Sequence, residues 1–171
     1  SSAASDVYKR QDLAESYLGV KTPEEMQAKV SDWDAFQATA KEVYDASGNK
    51  TALTTTLGGI WQAFAANRST PWVVDDKLAV DDFCNTFIDL AKNMRDNGYV
   101  TELNQWTDEW KAAGQTDDTM GYFVSTWGFG ESILLSAAGG EGGATYGKWN
   151  VCQGPTPYYW GGTCLLYTSP S

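Results

Sequence analysis

Apolar residues recur at helical spacing in two long stretches of the chain. The first stretch follows Ser31-Asp32-Trp33-Asp34, an S-x-x-D sequence typical of a helix N-terminus, and stops before Gly48. The second stretch follows Asp81 and stops before Gly98. Both patterns predict amphipathic helices that bury an aromatic-rich face. The apolar positions are Trp33, Phe36, Ala40, Val43 and Tyr44 in the first helix and Phe83, Phe87, Leu90, Ala91 and Met94 in the second.

Shorter segments of the remaining chain alternate between helical and extended patterns. Helices are predicted over residues 12–19, from Thr22-Pro23 onward, and over residues 60–67, 107–113 and 127–138. Strands are predicted over residues 51–56, 119–125, 149–152 and 158–160, with a small hairpin over residues 73–80 that turns on two aspartates. Because helices alternate with short strands, and no linker or repeat divides the chain, the sequence predicts a single α/β unit.

The composition is that of an ordinary globular protein. The chain has 171 residues, of which 42% are hydrophobic and 20% charged, so it is long enough to bury a core. Its 22 acidic and 12 basic residues give a net charge of −10. The sequence has no cluster of lysine and arginine, which argues against nucleic acid as a partner and against docking on an anionic membrane surface. No apolar run approaches the roughly 20 residues that a membrane-spanning helix needs.

The absence of histidine narrows the possible chemistry. It removes the commonest general base and the commonest metal ligand, so a catalytic triad built on histidine is excluded. The cysteines Cys84, Cys152 and Cys164 form no C-x-x-C pair, and we expect neither a zinc site nor a cofactor. A Cys84–Cys152 disulfide and two buried thiols are both compatible with the sequence.

Acidic pairs and glycine clusters have structural interpretations as well as catalytic ones. Three aspartate pairs could serve a glycosidase, which works with two carboxylates, but each pair stands where a turn or a helix cap needs aspartate. The glycine clusters at residues 128–130 and 139–143 lack the complete G-x-G-x-x-G pattern and the lysine of a phosphate loop. We therefore expect a protein that binds a ligand without transforming it. The aspartate pairs are Asp75/Asp76, Asp81/Asp82 and Asp117/Asp118.

The eight tryptophans are the most informative feature of the sequence. Trp61 follows two glycines at a strand-to-helix turn, and Trp127 follows the strand predicted to end at residue 125. Ligands of open α/β sheets bind at such positions. Trp160 lies beside two further glycines, where another group can approach the backbone closely. An indole face suits the C–H face of a sugar ring, so these three residues are candidate stacking residues, although tryptophans in loops more often pack in a core.

Five segments of the sequence, taken in order, resemble the carbohydrate-type extracellular solute-binding proteins of ABC importers. They are SDWDAFQATAKEV, NRSTPWVVDDKLAVDDF, AKNMRDNGY, MGYFVSTWG and GPTPYYWGGT, and the resemblance covers residues 12–163. It implies an α/β fold of the type II periplasmic-binding-protein-like class, in which two lobes form a clamshell around the ligand. Residues 12–163 would supply most of the C-terminal lobe.

The same resemblance implies a function and a set of binding residues. A protein of this family captures an oligosaccharide or another small solute outside the cell, as a lipid-anchored or periplasmic protein, and delivers it to the permease subunits of the transporter. By position, Gly59, Trp61, Trp127 and Trp160 are similar to its ligand-binding segments. Ser125-Thr126 departs from the Gly-Pro that precedes the stacking tryptophan in maltodextrin-binding proteins, and this puts the local loop shape in doubt. The alternative function is a carbohydrate-active enzyme or its sugar-binding module.

Both ends of the chain resemble translated sequencing-adapter tails of metagenomic reading frames. The strings are SSAASDVYKRQ at residues 1–11 and CLLYTSPS at residues 164–171. Cys164 stands where the family commonly has tryptophan, a change that an adapter joined inside the codon would produce. We therefore predict that residues 12–163 are the solute-binding segment and that both tails lie outside the core, without hydrogen-bonded pairing.

Overall fold

A mixed sheet forms the centre of the protein. The structure, a computed structural model, describes residues 4–125 and 127–159. Its strands are β1 (Ala4–Arg10), β2 (Ala52–Thr54), β3 (Val73–Val74), β4 (Lys77–Leu78), β5 (Thr119–Ser125), β6 (Trp149–Cys152) and β7 (Tyr158–Tyr159). The main sheet has the order β2-β5-β1-β6, with β7 also paired to β1, and β3 and β4 form a separate hairpin. Strand β1 is antiparallel to β5, β6 and β7, whereas β2 and β5 run parallel.

Helices cover both faces of this sheet. Every residue of β5 is buried, as expected of a strand covered on two sides. Phe123 packs in a large core cluster with α1 to α5, while Tyr122 and Val124 pack in a smaller cluster with α6 and a π-helix. The helices are α1 (Gln11–Leu18), α2 (Pro23–Lys29), α3 (Trp33–Ala46), α4 (Leu57–Ala66), α5 (Asp82–Asp96) and α6 (Asp108–Ala112), followed by a 3-10 turn (Ala113–Gln115) and the π-helix (Phe129–Ala137).

Most predicted elements are confirmed, and several helix ends carry the predicted signals. The strand β5 has the predicted bounds, and the β3–β4 hairpin turns on Asp75 and Asp76, which adopt left-handed φ values of 51° and 59°. Thr22 caps α2 by accepting a hydrogen bond from the backbone N–H of Glu25. Gly19 ends α1 in the left-handed conformation, with φ of 67°. These local signals act over three or four residues, which is why sequence alone identifies them.

Two predicted helix starts differ from the observed ones. Asp32, and not Ser31, is the N-cap of α3, because its carboxylate accepts a 2.7 Å hydrogen bond from the N–H of Ala35. Helix α4 begins at Leu57, ahead of two glycines. The sequence predicted a start at residue 60, because these glycines were expected to separate the strand from the helix. A Cβ at Gly59 would lie 3.0 Å from the Cβ of Phe123, so this glycine lets the first turn of the helix approach β5 closely.

The N-terminal tail is the largest correction to the sequence-based picture. We predicted no hydrogen-bonded pairing for residues 1–11, yet β1 occupies the middle of the main sheet. Arg10 is buried and donates to both carboxylate oxygens of Asp12 at 2.8 and 2.7 Å. It also donates to the Thr116 carbonyl at 2.9 Å and to the Asp117 carboxylate at 3.1 Å. The tail at residues 164–171, with Cys164, lies outside the described residues.

Two further expectations concern cysteines and membrane spans. Cys84 and Cys152 are both buried, and no disulfide joins them to each other. Of the two possibilities that the sequence left open, burial is therefore correct for this pair and the Cys84–Cys152 disulfide is wrong. Among the described residues, no helix has both the length and the apolar character that a membrane crossing requires.

Candidate functional site

The carboxyl ends of parallel strands meet at one edge of the main sheet. Strands β2 and β5 are in parallel register, with Ala52 opposite Thr119 and Thr54 opposite Gly121. Val100 adds a third parallel position through a single bridge to Thr54. The three chain segments that follow therefore leave the sheet on the same side. Because ligands of open α/β sheets bind beyond the carboxyl ends of the strands, this edge is the candidate site.

Two tryptophans stack on each other at this edge. The rings of Trp106 and Trp127 have centroids 5.6 Å apart and an interplanar angle of 19°. Trp127 is 61% exposed and Trp106 is 39% exposed, so the stacked pair presents apolar surface to solvent. Trp106 has φ of 72°, a left-handed conformation that is unusual for a bulky side chain. Strained backbone of this kind is concentrated at binding sites and active sites.

A buried layer holds the stacked pair in place. The ring of Trp110, which is 1% exposed, lies 5.0 Å from that of Trp106 and packs edge-on against Tyr122. The hydroxyl of Tyr122 donates a 2.7 Å hydrogen bond to the carbonyl of Trp110. Burial raises the pKa of Tyr122 well above its ordinary value, so this hydroxyl stays protonated and able to donate. The stacked pair therefore packs on Trp110, and Tyr122 of β5 fixes the position of Trp110.

The first turn of α4 lies next to the same edge. Thr56 caps this helix by accepting a 3.2 Å hydrogen bond from the N–H of Gly58. The side chain of Gln105, one residue before the stacked Trp106, reaches this turn. Its Oε1 lies 3.5 Å from the point where a Cβ would stand if residue 58 were not glycine. The loop between Val100 and α6 thus runs from the start of α4 to the tryptophan pair.

The structure places the predicted binding residues in different surroundings. Trp127 lies at the carboxyl edge in the exposed stack described above. Gly59 is buried under Phe123, where it positions α4. Trp61 is partly buried, with its ring 5.9 Å from that of Phe83 and stacked on it, and it also contacts the rings of Trp72 and Phe87. Trp160 lies outside the described residues.

Trp61 and Trp127 therefore belong to two separate aromatic clusters. The Trp61 cluster fills the space between α4 and α5 at the margin of the large core, whereas Trp127 lies against the smaller core through Trp106 and Trp110. Trp106 is the functional candidate that sequence reasoning missed. The only signal for it was its position after residue 100, and a single bridge there gives no strand pattern to detect.

The acidic pairs occupy structural positions, of which the hairpin turn matches the expectation fully. Asp75 and Asp76 form that turn. Asp81 stands at the N-cap position of α5, but its side chain makes no capping hydrogen bond, and Asp117 accepts a hydrogen bond from Arg10. Within the described part of the chain, no group of three or more acidic or cysteine side chains is arranged to hold a metal ion. A cavity of about 260 Å³ at the start of α5 is lined by Asn67, Ser69, Asp81, Asp82 and Phe83.

Solved structures of solute-binding proteins, two of them with a bound sugar, share this fold. A crystal structure of an extracellular solute-binding protein family 1 member matches with a TM-score of 0.78 and 18% identity over 93% of this chain and 40% of the other. An ABC transporter-associated binding protein from B. animalis subsp. lactis, in complex with beta-1,6-galactobiose, matches with a TM-score of 0.67 and 17% identity over 92% and 40% of the chains. The galacto-N-biose-/lacto-N-biose I-binding protein of Bifidobacterium longum, in complex with lacto-N-biose, matches with a TM-score of 0.60 and 20% identity over 88% of this chain and 36% of the other.

These comparisons establish the fold and its extent. No protein-family model and no curated protein matches the sequence. The chain has the type II periplasmic-binding-protein-like fold, and it spans about two fifths of the length of the solved proteins that it matches. The α/β class predicted from the sequence is therefore confirmed.

Proposed function

We propose that this chain belongs to an extracellular carbohydrate-binding protein of an ABC importer, which binds an oligosaccharide and delivers it to the permease subunits. The observation that carries the proposal is the stacked Trp106–Trp127 pair, exposed at the carboxyl edge of the sheet. An exposed indole face combines a large apolar area with a polar N–H at its rim, which suits a sugar ring. The shared fold supports the assignment, since two of the matching solved structures hold a bound disaccharide.

The proposed mechanism is domain closure around the ligand. In a two-lobed protein the sugar bridges both lobes, and a hinge motion brings them together, so the closed form differs in shape from the open form. A permease that recognises the closed form would then receive the loaded protein in preference to the empty one. This mechanism requires no catalytic residue. Location at the cell surface as a lipoprotein, or in the periplasm, is part of the same proposal.

The proposal is tested by fluorescence titration of the full-length protein expressed from the complete gene. A panel of neutral and acidic oligosaccharides is added, and we expect quenching or a shift of tryptophan emission that saturates with at least one sugar. Trp127→Ala should abolish most of that signal change and weaken binding. Because a single lobe supplies only part of the contacts, we expect the 171-residue chain alone to bind more weakly.

Two results would overturn the proposal. If no oligosaccharide in the panel changes the emission or releases heat in calorimetry, the protein does not bind sugars of these classes. If chromatography shows that a bound sugar is cut into smaller products, the protein is an enzyme, which is the alternative function.

A further inference from the structure

Two buried polar atoms near the carboxyl edge of the sheet have no hydrogen-bond partner within the described part of the chain. Ser125, the last residue of β5, is 0% exposed, and its Oγ has no partner among the described residues. The Nε2 atom of Gln105 is also buried, and the structure gives it no partner within the same residues. Buried donors are normally satisfied, so two unsatisfied ones at one candidate site point to a missing acceptor.

The direction of Ser125 follows from strand geometry. Successive side chains of a strand point to opposite faces, so Ser125 shares the face of Phe123. Gly59, in the first turn of α4, packs directly against Phe123. The Ser125 hydroxyl therefore points to the side of the sheet that α4 covers, two residues nearer to the carboxyl edge than Phe123. Helix α4 begins at the same edge, because only two residues separate its start from the end of β2.

The N-terminus of α4 supplies further donors. The helix has ten residues, and Thr56 satisfies the N–H of Gly58. Other first-turn N–H groups have no acceptor within the helix, and the helix dipole makes this end attractive to negative charge. Thr56, Leu57 and Gly58 are half-buried, so solvent reaches this turn. Gln105 is half-buried too, and its terminal amide reaches the same turn, with Oε1 3.5 Å from where a Cβ at Gly58 would lie.

We propose that the ligand of this site carries an anionic oxygen group, such as the carboxylate of a uronic acid or a sulfate ester. Ser125 Oγ, Gln105 Nε2 and the first-turn N–H groups of α4 would donate to it, beside a sugar ring stacked on Trp127. This inference rests on the proposed function and narrows its substrate class. A sugar hydroxyl brings a hydrogen of its own that needs an acceptor, whereas a carboxylate or sulfate only accepts. Gln105 Nε2 and the backbone N–H groups can only donate, and the Ser125 hydroxyl can donate as well as accept, so donors predominate at this site and match an anionic group better than a neutral one.

The negative net charge of the chain means that any preference for an acidic sugar must come from contacts within the site. With a charge of −10, this chain does not attract anions at long range. Affinity for an acidic sugar must therefore come from short hydrogen bonds at the helix N-terminus. Charge-assisted hydrogen bonds of this kind are shorter and stronger than neutral ones.

The test compares three disaccharides that share one backbone and differ only in the groups at C6 of their rings. Calorimetric titration of the full-length protein uses α-1,4-digalacturonate, a 6-sulfated α-1,4-galactobiose and neutral α-1,4-galactobiose. We expect one or both acidic sugars to bind at least tenfold more tightly than the neutral one. Ser125→Ala and Gln105→Ala should each lower the affinity for the acidic sugar by roughly tenfold or more and leave that for the neutral sugar within about twofold. Ser31→Ala, at an exposed serine distant in sequence, is the matched control.

The outcomes separate this inference from the proposed function. Equal or tighter binding of the neutral disaccharide by the wild-type protein overturns the anionic-group inference and leaves sugar binding standing. Failure of every sugar in the wider panel overturns both. Because the comparison of the three disaccharides needs only the wild-type protein, a variant that fails to fold does not remove the test. Preference for the sulfated over the uronic sugar, or the reverse, identifies which anion the site takes.

Discussion

Exposure distinguishes Trp127 from Trp33 at the scale of single residues. Trp33 is partly buried, with its ring stacked 4.5 Å from that of Phe64 and 6.1 Å from that of Phe123, whereas Trp127 is 61% exposed. We expect Trp33→Ala to lower the free energy of unfolding by about 3 kcal/mol, the low end of the range for a large core aromatic. Trp127→Ala should cost under about 1 kcal/mol and should mainly weaken sugar binding.

Urea unfolding of the two variants, followed by circular dichroism, measures this difference. Trp110→Ala is the matched control, because its ring is buried in the same part of the protein as Trp127. Similar losses of stability in Trp127→Ala and Trp33→Ala would make Trp127 a core residue and remove it from the site.

The backbone of Trp106 gives a second prediction at this scale. Its φ of 72° is left-handed, a conformation that glycine adopts at no steric cost and that other L-residues adopt at a cost of about 1 to 2 kcal/mol. Trp106→Gly should therefore be more stable than Trp106→Ala by about 1 kcal/mol, although both lose the stacked ring. The pair is compared by thermal and urea unfolding. Equal stability of the two variants would mean that residue 106 does not keep this conformation in solution.

The residues of the site were only partly predictable. Trp127 follows a strand whose bounds the sequence predicts correctly, so the candidate position was visible. Trp106 was missed because the segment before it makes one bridge instead of a strand, and because its left-handed φ depends on tertiary contacts. Ser125 and Gln105 stood out only once their burial was known, since no sequence pattern marks an unsatisfied donor.

The third prediction concerns a secondary-structure element, the N-terminal cap of helix α3. The observed N-cap of α3 is Asp32, and Ser31 is exposed. Asp32→Ala should lower the free energy of unfolding by about 1 kcal/mol, because the N–H of Ala35 loses its acceptor. Ser31→Ala should change it by less than about 0.5 kcal/mol. Chemical unfolding at neutral pH separates the two, and a larger loss in Ser31→Ala would restore the cap assignment made from the sequence.

Secondary structure was predicted best where local signals suffice. Helices α1, α2, α3 and α5 follow glycine, proline and apolar spacing, all of which act within one or two turns. The start of α4 was placed too late because a pair of glycines normally weakens a helix. Here the close approach to Phe123 needs a residue without a side chain, and that requirement comes from another element. The helical pattern from residue 127 likewise did not indicate that this helix takes the wider turn of a π-helix.

The ion pairs of Arg10 set a pH dependence for the whole molecule. Burial tends to raise the pKa of Asp12, but its hydrogen bond with the Arg10 guanidinium and the nearby positive charge outweigh this effect and lower it. A carboxyl with a lowered folded pKa stabilises the protein above its unfolded pKa of about 3.9, and this contribution is lost as pH falls through the folded value. Asp12→Asn should therefore cost about 1 kcal/mol at pH 7, a modest amount because the Asp12 side chain is 38% exposed. Urea unfolding from pH 7 to pH 3 should show the difference from wild type shrinking below about pH 4, and a constant difference would contradict the pairing.

The position of β1 leads to the prediction that tests the whole fold. This strand lies between β5 and β6 and also pairs with β7, so its removal would leave two edges of the sheet without a partner and expose the buried side chains of β5. A chain that begins at residue 11 should therefore fail to fold as a compact unit, as judged by its near-ultraviolet circular dichroism and by the loss of a cooperative melting transition. A chain that begins at residue 4 should melt like the complete one. The origin of residues 1–11 as an adapter tail stays a prediction, and the same deletion tests it. If a chain beginning at residue 11 melts cooperatively at the same temperature as the complete chain, the sheet does not depend on β1. Such independence is expected of a segment that did not evolve with the rest of the protein.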